Sequence, residues 1–424
     1  MKYTRFVLKG DIAYSLDRTT IRTVPNGYLV CIDGHSAGVF DALPETYQNL
    51  PVLDYTGKLI LPGLVDLHVH APQYTYRALG MDMELLEWLE TNTFPEERRY
   101  AALDYAAKAY GKFVDDLVHS PNTRACIFAT CHTDATLLLM DLLDKSGLVS
   151  MVGRVNMDRN CSDIIREESA AYSLNETRRW VEGAQFANTT PILTPRFVPT
   201  CSDEVLKGLG ALQKETGLPV QSHLSENFGE IAWVKELCPW SEFYGDVYDR
   251  FGLFGGEGCP TIMAHCVHST EEEVERMAQK GVFIAHCPQS NTNIASGIAP
   301  VRRYLDRGIP MGLGSDVAGG AILSIFRAMA DAIQVSKLRW RLVDQSLKPL
   351  TAAEAFWMGT VGGGAFFGKV GSFAEGYEVD AIVVDDSRLD AIRPFTLEQR
   401  VERAIYLSED RDITGKFCRG KQLF

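Results

Sequence analysis

The stretch Leu61-Pro-Gly-Leu-Val-Asp-Leu-His-Val-His70 is the most informative segment of the chain, because an apolar run ends there in two histidines separated by one residue. Alternate side chains of a β-strand point to the same face, so His68 and His70 are expected to project together from the end of a strand. Two neutral imidazoles that converge in this way form a chelate of the kind found in zinc sites. The segment therefore predicts a metal site, provided that further ligands come from elsewhere in the chain.

Eight short apolar runs recur between residues 59 and 317, and most of the longer segments between them have helical periodicity. The runs cover residues 59–69, 125–130, 149–155, 191–197, 219–224, 261–267, 282–286 and 310–316. Eight strands alternating with helices predict an α/β fold, a (β/α)8 TIM-like barrel. A doubly wound open sheet is the alternative, but it would not naturally make the first and eighth strands neighbours.

The two ends of the chain have a different pattern from the middle. Turn signals such as Pro25-Asn-Gly27 interrupt short alternating segments before residue 59, and the apolar run Ala-Ile-Val-Val384 follows a glycine-rich stretch near the other end. Both ends are therefore predicted to be small β pieces. We predict one discontinuous β-sandwich domain from residues 1–60 and 369–424, and a barrel from residues 61–368.

The composition is that of an ordinary globular protein, with 424 residues, 46% hydrophobic, 23% charged and a net charge of −13. The negative charge argues against a nucleic acid or an anionic membrane as partner, since both attract basic clusters. Residues 1–10 lack the apolar core of a signal peptide, and no run approaches the roughly 18 apolar residues of a membrane span. The ten cysteines include no Cys-x-x-Cys pair, so we expect them to be reduced in a cytoplasmic protein.

Polar side chains follow several of the predicted strands. Besides the pair in the first strand, His223, His265 and Asp316 lie at the ends of apolar runs, on the face where barrel enzymes carry their active sites. A single such histidine is more often a buried structural residue, but five polar groups at four strand ends favour a metal site. We predict His68, His70, His223 and Asp316 as ligands, a set that suits zinc or iron(II). The run 191–197 offers no lysine or acid to bridge a second ion, so we expect one.

A base and a substrate pocket are predicted beside the metal. Glu226 follows His223 closely enough to take a proton from a water and deliver it to a ring nitrogen, although a helix cap is the alternative. Arg196 and Phe197 end the fourth strand, where a guanidinium can bond an oxo group and a phenyl ring can stack on a heterocycle. Gln73 supplies a donor and an acceptor. An ion pair for Arg196 and a loop hydrogen bond for Gln73 are the structural alternatives.

These segments together resemble the amidohydrolase superfamily, and within it the enzymes that deaminate guanine. The metal motif is Pro62-Gly-Leu-Val-Asp-Leu-His-Val-His-Ala-Pro-Gln73, and the segments 85–89, 93–96, 153–158, 194–197 and 221–226 resemble that branch in particular. The segments 264–269, 286–291 and 314–316 complete the pattern, which spans nearly the whole chain.

The resemblance implies hydrolytic deamination of guanine to xanthine and ammonia, with one Zn2+ per chain and Fe2+ less expected. It implies that Glu226 moves protons, that His265 contacts the attacking water or the carbon it attacks, and that Asp316 takes and returns a proton. The residues implied to contact the purine are Gln73, Arg196, Phe197, His223, Glu226, His265 and Asp316. It also implies a homodimer and a role in purine catabolism.

Three other functions stay open. A related amidohydrolase could deaminate another purine or a pterin, or act as a chlorohydrolase. An amide hydrolase that opens a cyclic imide is less favoured, because Arg196 and Phe197 stand where a bridging lysine would be expected. A metal-free scaffold with the same barrel would be expected to lack ligands, and none of the expected ligands is missing here.

Overall fold

The computed structural model describes residues 4–389 and 392–424, and within these ranges it contains seventeen strands and fourteen α-helices. The strands are β1 (Arg5–Ser15), β2 (Ile21–Ile32), β3 (His35–Phe40), β4 (Val52–Pro62), β5 (Leu64–His70), β6 (Asn122–Phe128), β7 (Val149–Gly153), β8 (Val155–Asn156), β9 (Thr189–Pro191), β10 (Thr194–Pro195), β11 (Val220–Leu224), β12 (Thr261–His265), β13 (Phe283–His286), β14 (Met311–Leu313), β15 (Ala381–Val384), β16 (Ile413–Cys418) and β17 (Lys421–Gln422).

The α-helices lie mostly between successive barrel strands. They are α1 (Leu85–Trp88), α2 (Phe94–Arg98), α3 (Leu103–His119), α4 (Thr133–Ser146), α5 (Ala170–Gly183), α6 (Asp203–Thr216), α7 (Phe228–Leu237), α8 (Tyr244–Arg250), α9 (Glu271–Lys280), α10 (Pro288–Asn293), α11 (Val301–Asp306), α12 (Ile325–Leu342), α13 (Ala352–Trp357) and α14 (Leu397–Leu407). A search of the described residues finds no helix that is both long enough and apolar enough to cross a membrane.

Eight parallel strands form the barrel, in the order β11-β12-β13-β14-β5-β6-β7-β9. The segment that follows β9 meets β11, because Leu193, two residues beyond β9, forms a parallel bridge with Val220. The Leu193 N–H donates to the carbonyl of Pro219 at 2.8 Å, and the Gln221 N–H donates to the Leu193 carbonyl at 2.9 Å. These bonds close the barrel, and the predicted fold class is confirmed.

The first barrel strand begins at a glycine that separates two sheets. The apolar run 59–69 is divided at Gly63 into β4, which pairs with β1 and β15, and β5, which pairs with β6 and β14. A Cβ atom at Gly63 would lie 2.3 Å from the side chain of Thr123, so this close approach requires glycine. The run therefore spans two strands rather than the single predicted strand.

The smaller domain is one hydrogen-bonded sheet of seven described strands, in the order β17-β16-β15-β4-β1-β2-β3. Strands from both chain termini meet where β4 pairs with β15, as expected of a discontinuous domain. The sheet encloses a core of its own, which includes Phe6, Leu29, Phe373 and Phe417. The boundaries 1–60, 61–368 and 369–424 stay a prediction, and residues 1–3, 390 and 391 of that division lie outside the described residues.

Candidate active site

The side chains predicted as metal ligands meet at the carboxyl ends of three barrel strands. His68 and His70 come from β5 and His223 from β11, whereas Asp316 lies three residues beyond β14. The Nε2 atom of His70 is 3.2 Å from Nε2 of His68 and 3.3 Å from Nε2 of His223. Oδ1 of Asp316 is 3.2 Å from Nε2 of His68 and 3.4 Å from Nε2 of His70. The fold therefore places all four side chains in one cluster.

The protonation of this cluster fits a bound cation. Nδ1 of His223 lies 2.6 Å from the carbonyl oxygen of Arg196. A carbonyl oxygen only accepts hydrogen bonds, so Nδ1 carries the proton and the lone pair of Nε2 faces the cluster. Burial lowers the pKa of His68 and lowers those of His70 and His223 well below the usual value. Three neutral imidazoles and a carboxylate that crowd within hydrogen-bond distance are the donor set that a divalent metal prefers.

The carboxylate of the cluster is held in its ionised form. Burial raises the pKa of Asp316, but the nearby His68 and His265 outweigh burial and leave it well below the usual range. A thiol also lies close, because Cys287 groups with His265 and Asp316 within metal-binding distance. Burial raises the pKa of the Cys287 thiol well above its usual value, so it stays protonated and is a poor competitor for the metal.

His265 lies at the end of β12, beside the ligand cluster and in contact with the predicted base. Its Nδ1 is 2.8 Å from Oδ1 of Asn291, and its Nε2 is 3.4 Å from Oε2 of Glu226 and 3.8 Å from Oδ2 of Asp316. Burial lowers the pKa of His265, but the two carboxylates outweigh burial and raise it. The imidazole is therefore placed between two acids, where it can donate hydrogen bonds to either.

Glu226 is buried, and its carboxyl group can hold or release a proton near neutrality. Burial raises its pKa to about 7, although the neighbouring His265 acts in the opposite direction. The hydroxyl of Ser296 donates to Oε1 at 2.9 Å, which leaves Oε2 directed at His265. A group with this pKa is matched to general acid–base catalysis at physiological pH.

Glu230, a residue that the sequence did not single out, holds the main chain of Glu226 in place. Its Oε2 accepts the Glu226 N–H at 3.0 Å and its Oε1 accepts the Tyr244 hydroxyl at 2.7 Å. Glu230 also lines the same cavity. The spacing from Asn227 to Glu230 was the available signal, because it is the spacing of a capping box at the start of a helix.

The chain turns sharply where it leaves the strands that carry the site. Ser225, His265 and Asp316 have positive φ angles of 46°, 73° and 46°. Residues other than glycine rarely adopt this left-handed conformation, and it concentrates at functional sites that the surrounding fold holds rigidly. The backbone is therefore unusual at the ends of β11, β12 and β14, which are three of the four strand ends that carry side chains of the site.

A cavity opens directly beside the ligand cluster, and its space, which is continuous with the solvent, measures about 420 Å³. Its walls are formed by His70, Gln73, Leu85, Trp88, Leu89, Arg196, Phe197, His223, Glu226, Glu230, His265, Ile294 and Asp316. The apolar side chains Leu85, Trp88, Leu89 and Ile294 were not predicted as site residues. Three of these four lie in or beside α1, within the segment 85–89 that carries part of the resemblance.

A buried acid joins Gln73 and Arg196, which are two of the polar residues predicted to contact the purine. Oε1 of Glu97 accepts from Nε2 of Gln73 at 3.0 Å, and Oε2 accepts from Nη1 of Arg196 at 2.7 Å. The ion pair and the loop hydrogen bond considered from the sequence therefore both exist, the latter from the Ala318 N–H to Oε1 of Gln73 at 3.3 Å. Sequence reasoning missed Glu97, because it lies in the five-residue helix α2 without any periodic signal.

Comparison with known proteins agrees with this geometry. A profile of the Amidohydrolase family matches residues 59–423. The chain therefore belongs to the amidohydrolase family, whose members typically bind a divalent metal ion.

Similar proteins within this family are guanine deaminases. The guanine deaminase of Dictyostelium discoideum is 35% identical, and the alignment covers 98% of this chain and 98% of that one. The guanine deaminase of Homo sapiens is 37% identical over 86% of this chain and 83% of its own length. A crystal structure of guanine deaminase from C. acetobutylicum with bound guanine in the active site has a TM-score of 0.96 and 46% identity, covering 99% of this chain and 100% of that chain.

Proposed function

We propose that this protein hydrolyses guanine to xanthine and ammonia. The observation that carries the proposal is the likeness over the whole chain to a guanine deaminase with guanine in its active site, at 46% identity and a TM-score of 0.96. The cavity supports it, because it combines a metal-type donor set, a buried acid with a pKa of about 7 and two buried donor side chains. A related deaminase acting on another purine or a pterin is the second candidate, and the same relatives make it less favoured.

His68, His70, His223 and Asp316 would hold one metal ion, which we propose to be zinc. When bound, such an ion lowers the pKa of a water to about 7 and so makes a nucleophile available at neutral pH. The absence of lysine and acid in the segment 191–197 supports a single ion. Metal analysis that finds two tightly held ions per chain, or one iron, would overturn this part.

Glu226 would move the protons of the reaction. Its Oε2 atom lies 3.4 Å from Nε2 of His265, and both residues line the cavity. Glu226 can therefore accept a proton from water and protonate the ring nitrogen beside the amino-bearing carbon. Protonation there prevents negative charge from building up on the ring as the carbon becomes tetrahedral. Asp316 would take a second proton and return it to the departing amine, while His265 would donate a hydrogen bond to the reacting oxygen.

Gln73, Arg196 and Phe197 would bind the purine. All three line the cavity: the first two carry N–H donors besides those bonded to Glu97, and the ring of Phe197 forms part of the apolar wall. Arg196 would donate to the oxo group, so adenine, which has an amino group at that position, would leave a buried donor unpaired. Sites of this kind discriminate by about 10⁴-fold or more.

We also propose that the protein works in the cytoplasm and assembles as a homodimer. All ten cysteines lie within the described residues, each is buried, and none of them forms a disulfide, which supports a reducing compartment such as the cytoplasm. Leu338, Leu342 and Val343, at the end of α12, are 50%, 74% and 62% exposed, which supports a homodimer interface there. A single monomeric species by light scattering at working concentration would contradict the dimer. A role in purine catabolism follows from the proposed reaction.

The experiment is ammonia release from guanine by the purified protein, with a chelator-treated sample alongside. We expect rapid release that chelation abolishes and added Zn2+ restores. Protein that retains its metal and still releases no ammonia from guanine would overturn the proposal. Release from another purine or a pterin in the same assay would then support the second candidate.

The E226Q variant tests the proton-transfer role within the same assay. Glutamine has nearly the same shape but cannot donate and accept the proton, so we expect normal metal content and loss of most turnover. Turnover close to that of the original protein would contradict the role of Glu226 while leaving the overall reaction standing.

A further inference from the structure

We infer that Glu97 is a positioning residue that determines which hydrogen-bond donors the cavity offers to its ligand; this inference rests on the proposed guanine substrate. Glu97 lies in α2 and is fully buried, and its two partners, Gln73 and Arg196, are each 2% exposed. Both partners line the cavity. Glu97 therefore acts on the ligand through them.

The carboxylate fixes the orientation of the Gln73 amide. A carboxylate can only accept, so the amide must turn its nitrogen toward Oε1 of Glu97, at 3.0 Å. The amide oxygen then accepts the Ala318 N–H at 3.3 Å. A flipped amide would place two acceptors against each other at one end and two donors at the other, so both contacts select a single orientation.

The same carboxylate fixes the position and compensates the charge of Arg196. Nη1 donates to Oε2 of Glu97 at 2.7 Å, while the ring of Phe94 lies 5.3 Å from the guanidinium carbon. Both groups come from α2, so this short helix holds Arg196 from one side. The pair leaves N–H donors free for the ligand without adding net charge to the cavity.

This arrangement explains why the cavity would take a neutral purine with an oxo group. Fixed N–H donors require acceptors on the ligand, and a compensated guanidinium gives no advantage to an anion. In the E97Q variant the new amide group would face Gln73 and Arg196, both of which donate, so one of them must turn away. The guanidinium would also lose its counter-charge.

The test is the selectivity for guanine over 2-aminopurine, which has the same 2-amino group but lacks the oxo group. We expect E97Q to lower kcat/KM for guanine by about 100-fold, chiefly through KM, because misplaced contact residues weaken binding and alignment. The ratio of kcat/KM for guanine to that for 2-aminopurine should fall by about tenfold or more, since 2-aminopurine never used the oxo contact. A purely structural loss would lower both substrates equally and leave the ratio unchanged.

Inhibition by xanthine gives a second, independent measure. E97Q leaves Arg196 uncompensated, so the change in xanthine inhibition from pH 6.5 to pH 8.5, where more xanthine is anionic, should favour stronger inhibition in this variant relative to the original protein, in which Glu226 titrates as well. The E97D variant keeps the charge but is one methylene shorter, so it should lose selectivity without this gain in anion binding. If circular dichroism shows that E97Q does not fold, E97D is used for the selectivity test instead.

E96Q is the matched control, because Glu96 is the neighbouring buried acid of α2 and bonds Thr75 and Tyr105 instead. We expect E96Q to keep the original selectivity. An unchanged ratio in E97Q and E97D, or an equal fall in E96Q, would overturn the role of Glu97. Failure of the unaltered protein to release ammonia from guanine would instead overturn the proposed function.

Discussion

Buried ionisable residues of this protein differ in whether the fold supplies them with partners. Glu97 is completely buried, and each of its carboxylate oxygens accepts a charge-assisted or amide hydrogen bond. His286, at the end of β13, is equally buried, yet neither ring nitrogen has a hydrogen-bond partner among the described residues. An ionisable group in the second situation makes the fold sensitive to pH, because burial then opposes its charged form without compensation.

We therefore expect His286 to destabilise the protein in acid. Burial lowers its pKa to about 3, so below an unfolded value near 6.5 the unfolded chain takes up a proton that the folded chain refuses. The contribution of neutral His286 to the free energy of unfolding is fully present above pH 6.5 and is lost as the pH falls toward 3. Between pH 7 and pH 5 the original protein should lose about 2 kcal/mol more than H286M, measured by urea unfolding.

The control for this prediction is an exposed histidine. H35M alters a surface residue of β3, and its unfolding free energy should follow that of the original protein across the same pH range. At pH 7, H286M should unfold within about 1.5 kcal/mol of the original, because methionine conserves most of the volume and no hydrogen bond is lost. A pH dependence of H286M equal to that of the original would contradict the assignment.

At the level of the site, residue type and strand position predicted where side chains would lie but not what they would contact. His68, His70, His223 and Asp316 meet as expected, because alternation along a strand and the common face of the barrel determine their direction. The tautomer of His223 depends on a carbonyl 27 positions away in sequence. Such partners come from tertiary packing, and no local pattern indicates them.

At the scale of elements, apolar runs predicted the positions of strands better than their sheet membership. The run 59–69 gave no sign that its first half pairs within the smaller sheet, because pairing depends on partners distant in sequence. Helix ends depend on nearer partners than sheet membership does. The side chain of Thr270 caps α9 by accepting the Glu273 N–H, and Gly281 ends the same helix with a left-handed φ of 65°.

The cap of α7 is an element-level feature with a functional consequence. The Asn227 side chain accepts the Gly229 N–H at 2.7 Å, and Glu230 closes the capping box by accepting the Asn227 N–H at 3.3 Å. The same carboxylate oxygen holds the Glu226 N–H. The start of this helix therefore keeps Glu226, the proposed base, in position, as well as satisfying backbone groups.

We expect N227A to reduce both stability and activity. Loss of this cap should lower the free energy of unfolding by about 1 kcal/mol, and displacement of Glu226 should lower kcat by about tenfold or more. T351A is the matched control, since Thr351 caps α13 with the same capping box but lies outside the cavity wall. It should lose similar stability and keep its kcat, as measured by urea unfolding and ammonia release. Equal activity losses in both variants would contradict the positioning role of the cap.

At the scale of the whole molecule, a buried ion network ties the barrel to the smaller sheet. Nε of Arg124, in β6, lies 2.6 Å from Oδ2 of Asp380, and Nη2 lies 2.5 Å from Oε2 of Glu378. Arg124 and Asp380 are 3% and 1% exposed, and both acids belong to the segment leading into β15. The first barrel strand also continues directly from β4, so the two parts share both backbone and buried charge.

We therefore expect the two domains to unfold together and D380N to destabilise both. Removing one partner of a buried ion pair leaves the other charge uncompensated, which costs about 3 kcal/mol or more. Urea unfolding should be followed by far-ultraviolet circular dichroism, which reports the helices around the barrel, and by pulsed hydrogen exchange of peptides from β1 and β16, which reports the smaller sheet. The two probes should give one coincident transition for the original protein. D380N should shift that transition to lower urea concentration by both probes. D54N, which removes the exposed partner of Lys9, should change it little, because exposed pairs are screened by water. Two separate transitions in the original protein would show that the barrel and the sheet unfold independently. Equal shifts in D380N and D54N would show that this network does not couple them.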